Sequence, residues 1–210
     1  MATLGLDLSL NSPGVAIRDP EGQIHYYFAA QRDTDTGVTH PQFTCWGRMP
    51  TTRYAKCRWI RERLLTVIRH HDVRHVIMEG HAFGTRASKA KLILMELGGI
   101  IRCALDHARV RVTEFSPRTV KKNFTGNGTA SKMDMLLNFE RQTGLDLCAL
   151  FVKYPNDKQD IPCPLQDIVD AHALLAPYWK DVEAEQRRQK RAEKHARLQV
   201  RKRPRVTAPQ

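Results

Sequence analysis

A chain of 210 residues is long enough for one domain with a full hydrophobic core and a short appendage. Its formal net charge of +12 and pI near 9.8 argue against a basic partner and favour a polyanionic one, most often nucleic acid and sometimes an acidic membrane surface. Five cysteines (Cys45, Cys57, Cys103, Cys148, Cys163) form no CxxC pair, which argues against a disulfide framework and a zinc ribbon and points to reduced thiols. The N-terminus does not read as a signal peptide, and the most apolar helix-length stretch, "KLILMELGGIIRCALDH", is broken by Glu96. The expectation is a soluble cytoplasmic protein with no membrane partner.

In chain order, strand-like segments fall at 3–9, 14–18 and 23–30, joined by short turns such as "DPEG" at 19–22, and predict an antiparallel meander. Residues 31–50 show neither helical nor strand period and read as an irregular insertion. A helix is predicted over 51–71 from the stripe Tyr54, Trp59, Leu64, Leu65 and Ile68. "VRHVIMEG" is a short apolar strand ending at Glu79, followed by the loop "HAFGTRAS", a long helix to about 108 and the strand 109–115. Ser116 followed by Pro117 starts another helix. Residues 145–164, with three prolines, read as a loop before the helix "LQDIVDAHALLAPYW". This order predicts an α/β fold, a mixed sheet of five strands (an antiparallel meander, then parallel strands) flanked by helices.

Asp7 stands inside the apolar run "LGLDLSLNSPGVAI", where a carboxylate is costly unless paired, hydrogen-bonded or bound to a metal. A solvated aspartate on an open sheet face explains it equally well. Glu79 ends a strand, where the functional crevice of an α/β sheet lies. Asp167 and Asp170, spaced i and i+3, project from one face of the last helix. If the four acids meet, their repulsion calls for cations between them, and two Mg²⁺ ions suit an oxygen-only shell. Singly, each has a dull explanation, such as an N-terminal dipole partner for Asp167. Spacing alone does not bring them together. His172 reads as a helix-packing histidine outside the catalytic set.

The segments "LGLDLSLNSPGVAI", "HVIMEG", "TVKKNFTGNGTASK" and "DIVDAHALLA" resemble, in order and approximate spacing, the RuvC family of Holliday-junction resolvases. The resemblance spans about residues 3–179. It implies an RNase H-like fold, a homodimer, and a Mg²⁺-dependent structure-selective endodeoxyribonuclease that resolves four-way DNA junctions by paired nicks, with Mn²⁺ as a substitute ion. Carried over residue by residue, Asp7, Glu79, Asp167 and Asp170 match the metal-binding catalytic acids. Lys121 and Lys132 match basic residues at the DNA, Lys132 close to the scissile phosphate. Lys122 flanks the same Gly126-x-Gly128 turn, whose glycines let backbone approach a phosphate.

The sequence also departs from the family pattern. Phe83 comes one position later than the family's wedge aromatic; beside Arg86 and Lys89 it either unstacks a base pair or folds onto the core. The 31–50 insertion, the proline-rich loop and a basic tail suggest a divergent branch, viral or carried by a mobile element, working in a bacterial or infected-cell cytosol. The helix over 86–108 is apolar around most of its circumference and is either sandwiched inside the fold or pressed on a second subunit.

The expected domain division is a nuclease domain over 1–180 and a basic tail over 181–210. The tail's segment from Val182 to Arg205 carries ten Lys/Arg against three Glu, and reads as a frayed helix or a phosphate clamp. The competing readings are a non-catalytic architectural junction binder and a sugar-kinase or actin-like ATPase. The latter needs two lobes, and the chain has room for one.

Overall fold

The computed structural model describes residues 1–80, 88–156 and 160–177, of which Met1–Ala176 form one compact unit. Six strands, β1 (Ala2–Asp7), β2 (Gly14–Arg18), β3 (Ile24–Ala30), β4 (Phe43–Arg48), β5 (Val73–Glu79) and β6 (Arg111–Phe115), make one sheet in the order β4-β3-β2-β1-β5-β6. The strands β1, β2 and β3 form the antiparallel meander, and β5 and β6 then add parallel to β1. The mixed α/β architecture is the one expected, with one strand more than the five predicted.

The extra strand is β4, inside the segment expected to be irregular. A short 3-10 turn, Asp33–Gly37, precedes it, and β4 then pairs parallel to β3. Residues 31–42 supply the crossover of about a dozen residues that a parallel neighbour requires. Local periodicity missed it because only Phe43 and Trp46 of β4 are buried, so no regular alternation is visible. A second correction falls in the predicted 145–164 loop, where Leu147–Phe151 form a short helix, α5, capped by Asp146.

The remaining helices are α1 (Arg53–His70), α2 (Lys89–His107), α3 (Pro117–Thr125), α4 (Lys132–Thr143) and α6 (Leu165–Ala173). Ser88, Ser116 and Ser131 cap α2, α3 and α4 by accepting a backbone N–H with the side chain, which fixes where each helix begins. The sheet separates two helical layers. Leu4, Leu6, Val15, Ile17, Val76 and Met78 share one core with Ile60 and Leu64 of α1 and Leu97, Ile101 and Leu105 of α2. Because side chains alternate along a strand, Gly5 and Asp7 face the opposite side, where α6 lies.

The contact of α6 with the β1–β2 hairpin is unusually close. A Cβ added at Gly5 would fall well inside contact distance of the Ala171 carbonyl oxygen, and one at Gly14 would do the same with Asp167. The helix is therefore seated directly on sheet backbone. Around it, Tyr26 stacks on Phe43 and its hydroxyl is hydrogen-bonded to Nδ1 of His172 at 2.8 Å, with Phe124 and Phe139 against the same imidazole. His172 is buried, and burial pushes its pKa down to about 3, so it packs as a neutral ring.

Gly14→Ala and Gly5→Ala should each lose about 1–3 kcal/mol or more, since neither backbone can yield without unseating α6. Urea denaturation measures this, and unchanged midpoints would contradict the seating of α6 described here.

Candidate active site

The carboxyl ends of β1 and β5 lie side by side, with Leu6 in register with Met78. Asp7 and Glu79 are the next residues along each strand, and both line a cleft of about 180 Å³ with Leu8, Gly80, Lys91 and Leu94. Asp7 is opposite Gly14 in the β1–β2 ladder, and the backbone of Asp167 rests on Gly14. One turn later along α6 comes Asp170. The four acids singled out in the sequence thus share one end of the sheet.

Their ionisation reflects that arrangement. The Asp7 carboxyl is held well above its ordinary range, first by burial and then by the negative charges of Asp170, Asp167 and Glu79. Asp170 is raised to about 6, chiefly by burial, with Asp167 adding to it and the Gln166 hydrogen bond, Lys132 and Lys121 opposing it. Glu79 is solvent-accessible as a residue, yet loss of water around its carboxylate and the charge of Asp170 raise it, with Lys121 pulling the other way. Asp167 is buried and raised by that burial, against hydrogen bonds from Ser12 and Cys163 and the charge of Lys132.

Several neighbours hold the acids in place. Ser12 donates its hydroxyl to Oδ2 of Asp167 at 2.5 Å, and Gln166 donates Nε2 to Oδ2 of Asp170 at 2.6 Å. The Cys163 thiol contacts both Asp167 and Ser12, and its pKa is pushed up to about 11 by burial and the Asp167 charge. None of Ser12, Gln166 and Cys163 was expected at the site. No signal in the sequence marks them, because Ser12 reads as a turn residue and Cys163 as one more reduced thiol.

Of the predicted basic residues, Lys121 and Lys132 join the acids. Lys121 donates Nζ to the Ala130 carbonyl at 2.7 Å, which ties α3 to the turn before α4 and leaves its charge acting on Glu79 and Asp170. Lys132 is the exposed first residue of α4 and acts on Asp167 and Asp170. Lys122 faces elsewhere, into a concavity it lines with Arg118, Asn123, Asn127 and Gly128. Lys89 is exposed at the start of α2. Phe83 and Arg86 lie outside the described residues. Gly126 has a local reason to be glycine, because it terminates α3 in the left-handed conformation at φ 86°.

Four carboxylates only partly offset by two lysines gather oxygen-only groups whose mutual repulsion a hard divalent cation would relieve. Among the described residues a different trio, Glu140, Asp146 and Cys148, has ligand atoms all within 4.8 Å of one another. Its thiol and the exposure of Asp146 make it a poorer match for such an ion.

The family model for crossover junction endodeoxyribonuclease RuvC matches residues 45–142. A crossover junction endodeoxyribonuclease RuvC of Bacteroides fragilis is 33% identical over 79 residues, which are 38% of this chain and 42% of that protein. The RuvC structure of Thermus thermophilus aligns over 86% of this chain and 96% of its own, at 19% identity and a TM-score of 0.54. Over residues 45–142 the chain is similar to the RuvC family. The T. thermophilus RuvC structure in complex with a Holliday junction substrate aligns equally far, covering 86% and 95%, at 18% identity and a TM-score of 0.55. The sheet order and flanking helices are thus those of the RuvC fold, of the RNase H-like class. The stretch matched by the RuvC family model contains Glu79, Lys121 and Lys132, whereas Asp7, Asp167 and Asp170 lie on either side of it. The match to the B. fragilis RuvC spans about two-fifths of that protein's length.

A group with raised folded pKa keeps its proton more firmly when folded, so stability falls as pH climbs from the ordinary aspartate value to the folded one. For Asp170 that interval runs from 3.8 to about 6. In divalent-free buffer, Asp170→Asn should therefore gain stability over the unsubstituted protein as pH rises through this interval, with a constant margin above it. Parallel urea melts check this, and a margin that shrinks with rising pH would contradict it.

Proposed function

We propose that the protein is a divalent-metal-dependent endonuclease that resolves four-way DNA junctions by paired nicks during recombination and the processing of replication intermediates. The observation that carries this reading is the convergence of Asp7, Glu79, Asp167 and Asp170 at one end of the sheet, with Lys121 and Lys132 beside them. The match of residues 45–142 to the RuvC family model and the fold shared with the T. thermophilus RuvC structure in complex with a Holliday junction substrate support it.

In this reading the four carboxylates hold two Mg²⁺ ions, with Mn²⁺ able to replace them. When bound, such ions activate water and stabilise the attacking and leaving oxygens of a phosphodiester displacement. The protein's own groups do the rest. Ser12 and Gln166 fix the orientations of Asp167 and Asp170 through the hydrogen bonds at 2.5 and 2.6 Å. Lys132, at the free end of α4, meets the scissile phosphate, and Lys121 neutralises the strand beside it. Lys122, together with Lys89, contacts backbone phosphates farther along the DNA, an electrostatic role suited to a chain of net charge +12. Arg86 and Phe83, beyond the described residues, are assigned to the junction crossover.

Paired nicks require two active sites. Leu92 and Met95 are exposed on α2, and Gly99 on the same helical face allows a second helix to approach closely, so a two-fold homodimer through α2 is the assembly proposed. Residues 1–180 act as the nuclease domain and 181–210 as a basic clamp. Among the described residues no helix is long and apolar enough to cross a membrane. The proposed setting is the cytosol, where branched DNA is processed.

A synthetic four-way junction incubated with the protein and Mg²⁺ tests the reading, and symmetrical nicks in two opposing strands are expected. Asp7→Asn should lower cleavage by at least about 100-fold while leaving junction binding unchanged or tighter, since it removes a metal ligand and a negative charge facing the phosphate. Junction binding without nicks in either Mg²⁺ or Mn²⁺ would favour a purely architectural protein.

A further inference from the structure

Two segments outside the stretch matched by the family model meet beside α6: residues 31–37 and the described residues 152–156 and 160–163. What joins them is a buried ion pair. Asp35, with no exposed side-chain surface, accepts the backbone N–H groups of Gln31 at 2.8 Å and Arg32 at 2.9 Å on Oδ2. Nζ of Lys153 lies 2.7 Å from its Oδ1 and donates to the Cys163 carbonyl at 2.7 Å. Opposite charges desolvated together persist when their remaining hydrogen bonds are met, and here they are shared with three backbone groups. The pair staples the insertion to the loop that leads into α6.

Over this staple opens a groove of about 440 Å³ lined by Gln31, Arg32, Val152, Lys153, Tyr154, Pro162 and Cys163. That is inside the range of roughly 300–1,000 Å³ found for sites that hold small organic groups. Lys153 spends its charge on Asp35, so among the described residues the exposed Arg32 is the cation the groove presents. Tyr154 is 67% exposed, an aromatic face offered at the rim beside the apolar Val152 and Pro162. Among the described residues no carboxylate lines the groove. Its far wall is Cys163, whose thiol touches Asp167. The groove therefore opens next to the acids.

We propose that this groove is a nucleotide subsite that takes the DNA nucleotide next to the scissile phosphate, its base on Tyr154 and its phosphate against Arg32. The inference rests on the endonuclease reading above. An aromatic face with an adjoining guanidinium is the chemistry that holds a base and its phosphate with little regard to hydrogen-bond pattern. Asp35 and Lys153 serve as positioning residues, holding the groove in register with Asp167 through Cys163. The insertion and the proline-rich loop thus extend the substrate path beyond Asp167.

The test uses the full chain and four-way junctions carrying 2-aminopurine at successive positions around the mapped cut, bound in Ca²⁺ so that cleavage does not intervene. The unsubstituted protein is expected to change the fluorescence at one flanking position. Tyr154→Ala should abolish that change and weaken binding about tenfold, while Tyr154→Phe keeps both. Arg32→Ala should weaken binding and reduce the slope of affinity against salt by about one counterion. Tyr154 and Arg32 are exposed, so neither substitution removes core packing. If the unsubstituted protein binds and cuts junctions but both alanine variants match it in affinity, salt slope and fluorescence, the groove proposal is overturned and the endonuclease reading stands. If the unsubstituted protein neither binds nor cuts them, both fall.

Discussion

The seating of α6 on bare sheet backbone is the constraint from which the site follows. Helices ordinarily rest on a sheet through two layers of side chains, and the distance between backbones is set by their bulk. At Gly5 and Gly14 the sheet contributes no side chain, and the carbonyls of Ala171 and Asp167 occupy the space a Cβ would take. Asp167 is then fixed over the residue that pairs with Asp7, and Asp170 follows one turn along. A helix held farther out would carry both acids away from the strand ends.

This geometry concentrates negative charge where the chain would otherwise avoid it. Asp7 is desolvated and has three acids acting on it, and among the described residues the charges of Lys121 and Lys132 and the hydrogen bonds of Ser12, Cys163 and Gln166 relieve the group. The cost is carried by cores on both faces of the sheet, the Leu/Ile/Val layer under α1 and α2 and the aromatic layer around Tyr26 and His172. Stability and chemistry are therefore in opposition at one place, the usual signature of a functional site. A cation among the carboxylates removes the opposition, which is why the proposed metal dependence and the raised ionisation of Asp7 and Asp170 are two aspects of one arrangement.

The periphery is built differently. The segments around Asp35 and Lys153 are joined by a polar staple rather than by apolar burial, and they shape a groove beside the acids without contributing a carboxylate to them. The family-matched stretch supplies β5, which ends in Glu79, and the Lys121–Lys132 region, whose charges act on the same acids. The substrate path proposed here is accordingly lined by both.

Much of this was legible in the chain itself. The alternation of Leu4 and Leu6 with Gly5 and Asp7 specifies a strand with two different faces, and Ser116-Pro117 specifies a helix start, because strand alternation and capping act over a few residues. The oddity of Asp7, the strand-end position of Glu79 and the i, i+3 pair Asp167 and Asp170 were visible for the same reason. What only the tertiary structure decided are contacts between distant parts of the chain. Ser12 meets Asp167 across 155 residues, β4 exists because β3 offers it an edge, and Lys153 finds Asp35 in a segment that showed no period. Local sequence encodes which way a side chain points along its own element. The distance between elements depends on what fills the space between them, and at Gly5 and Gly14 the answer is nothing but backbone.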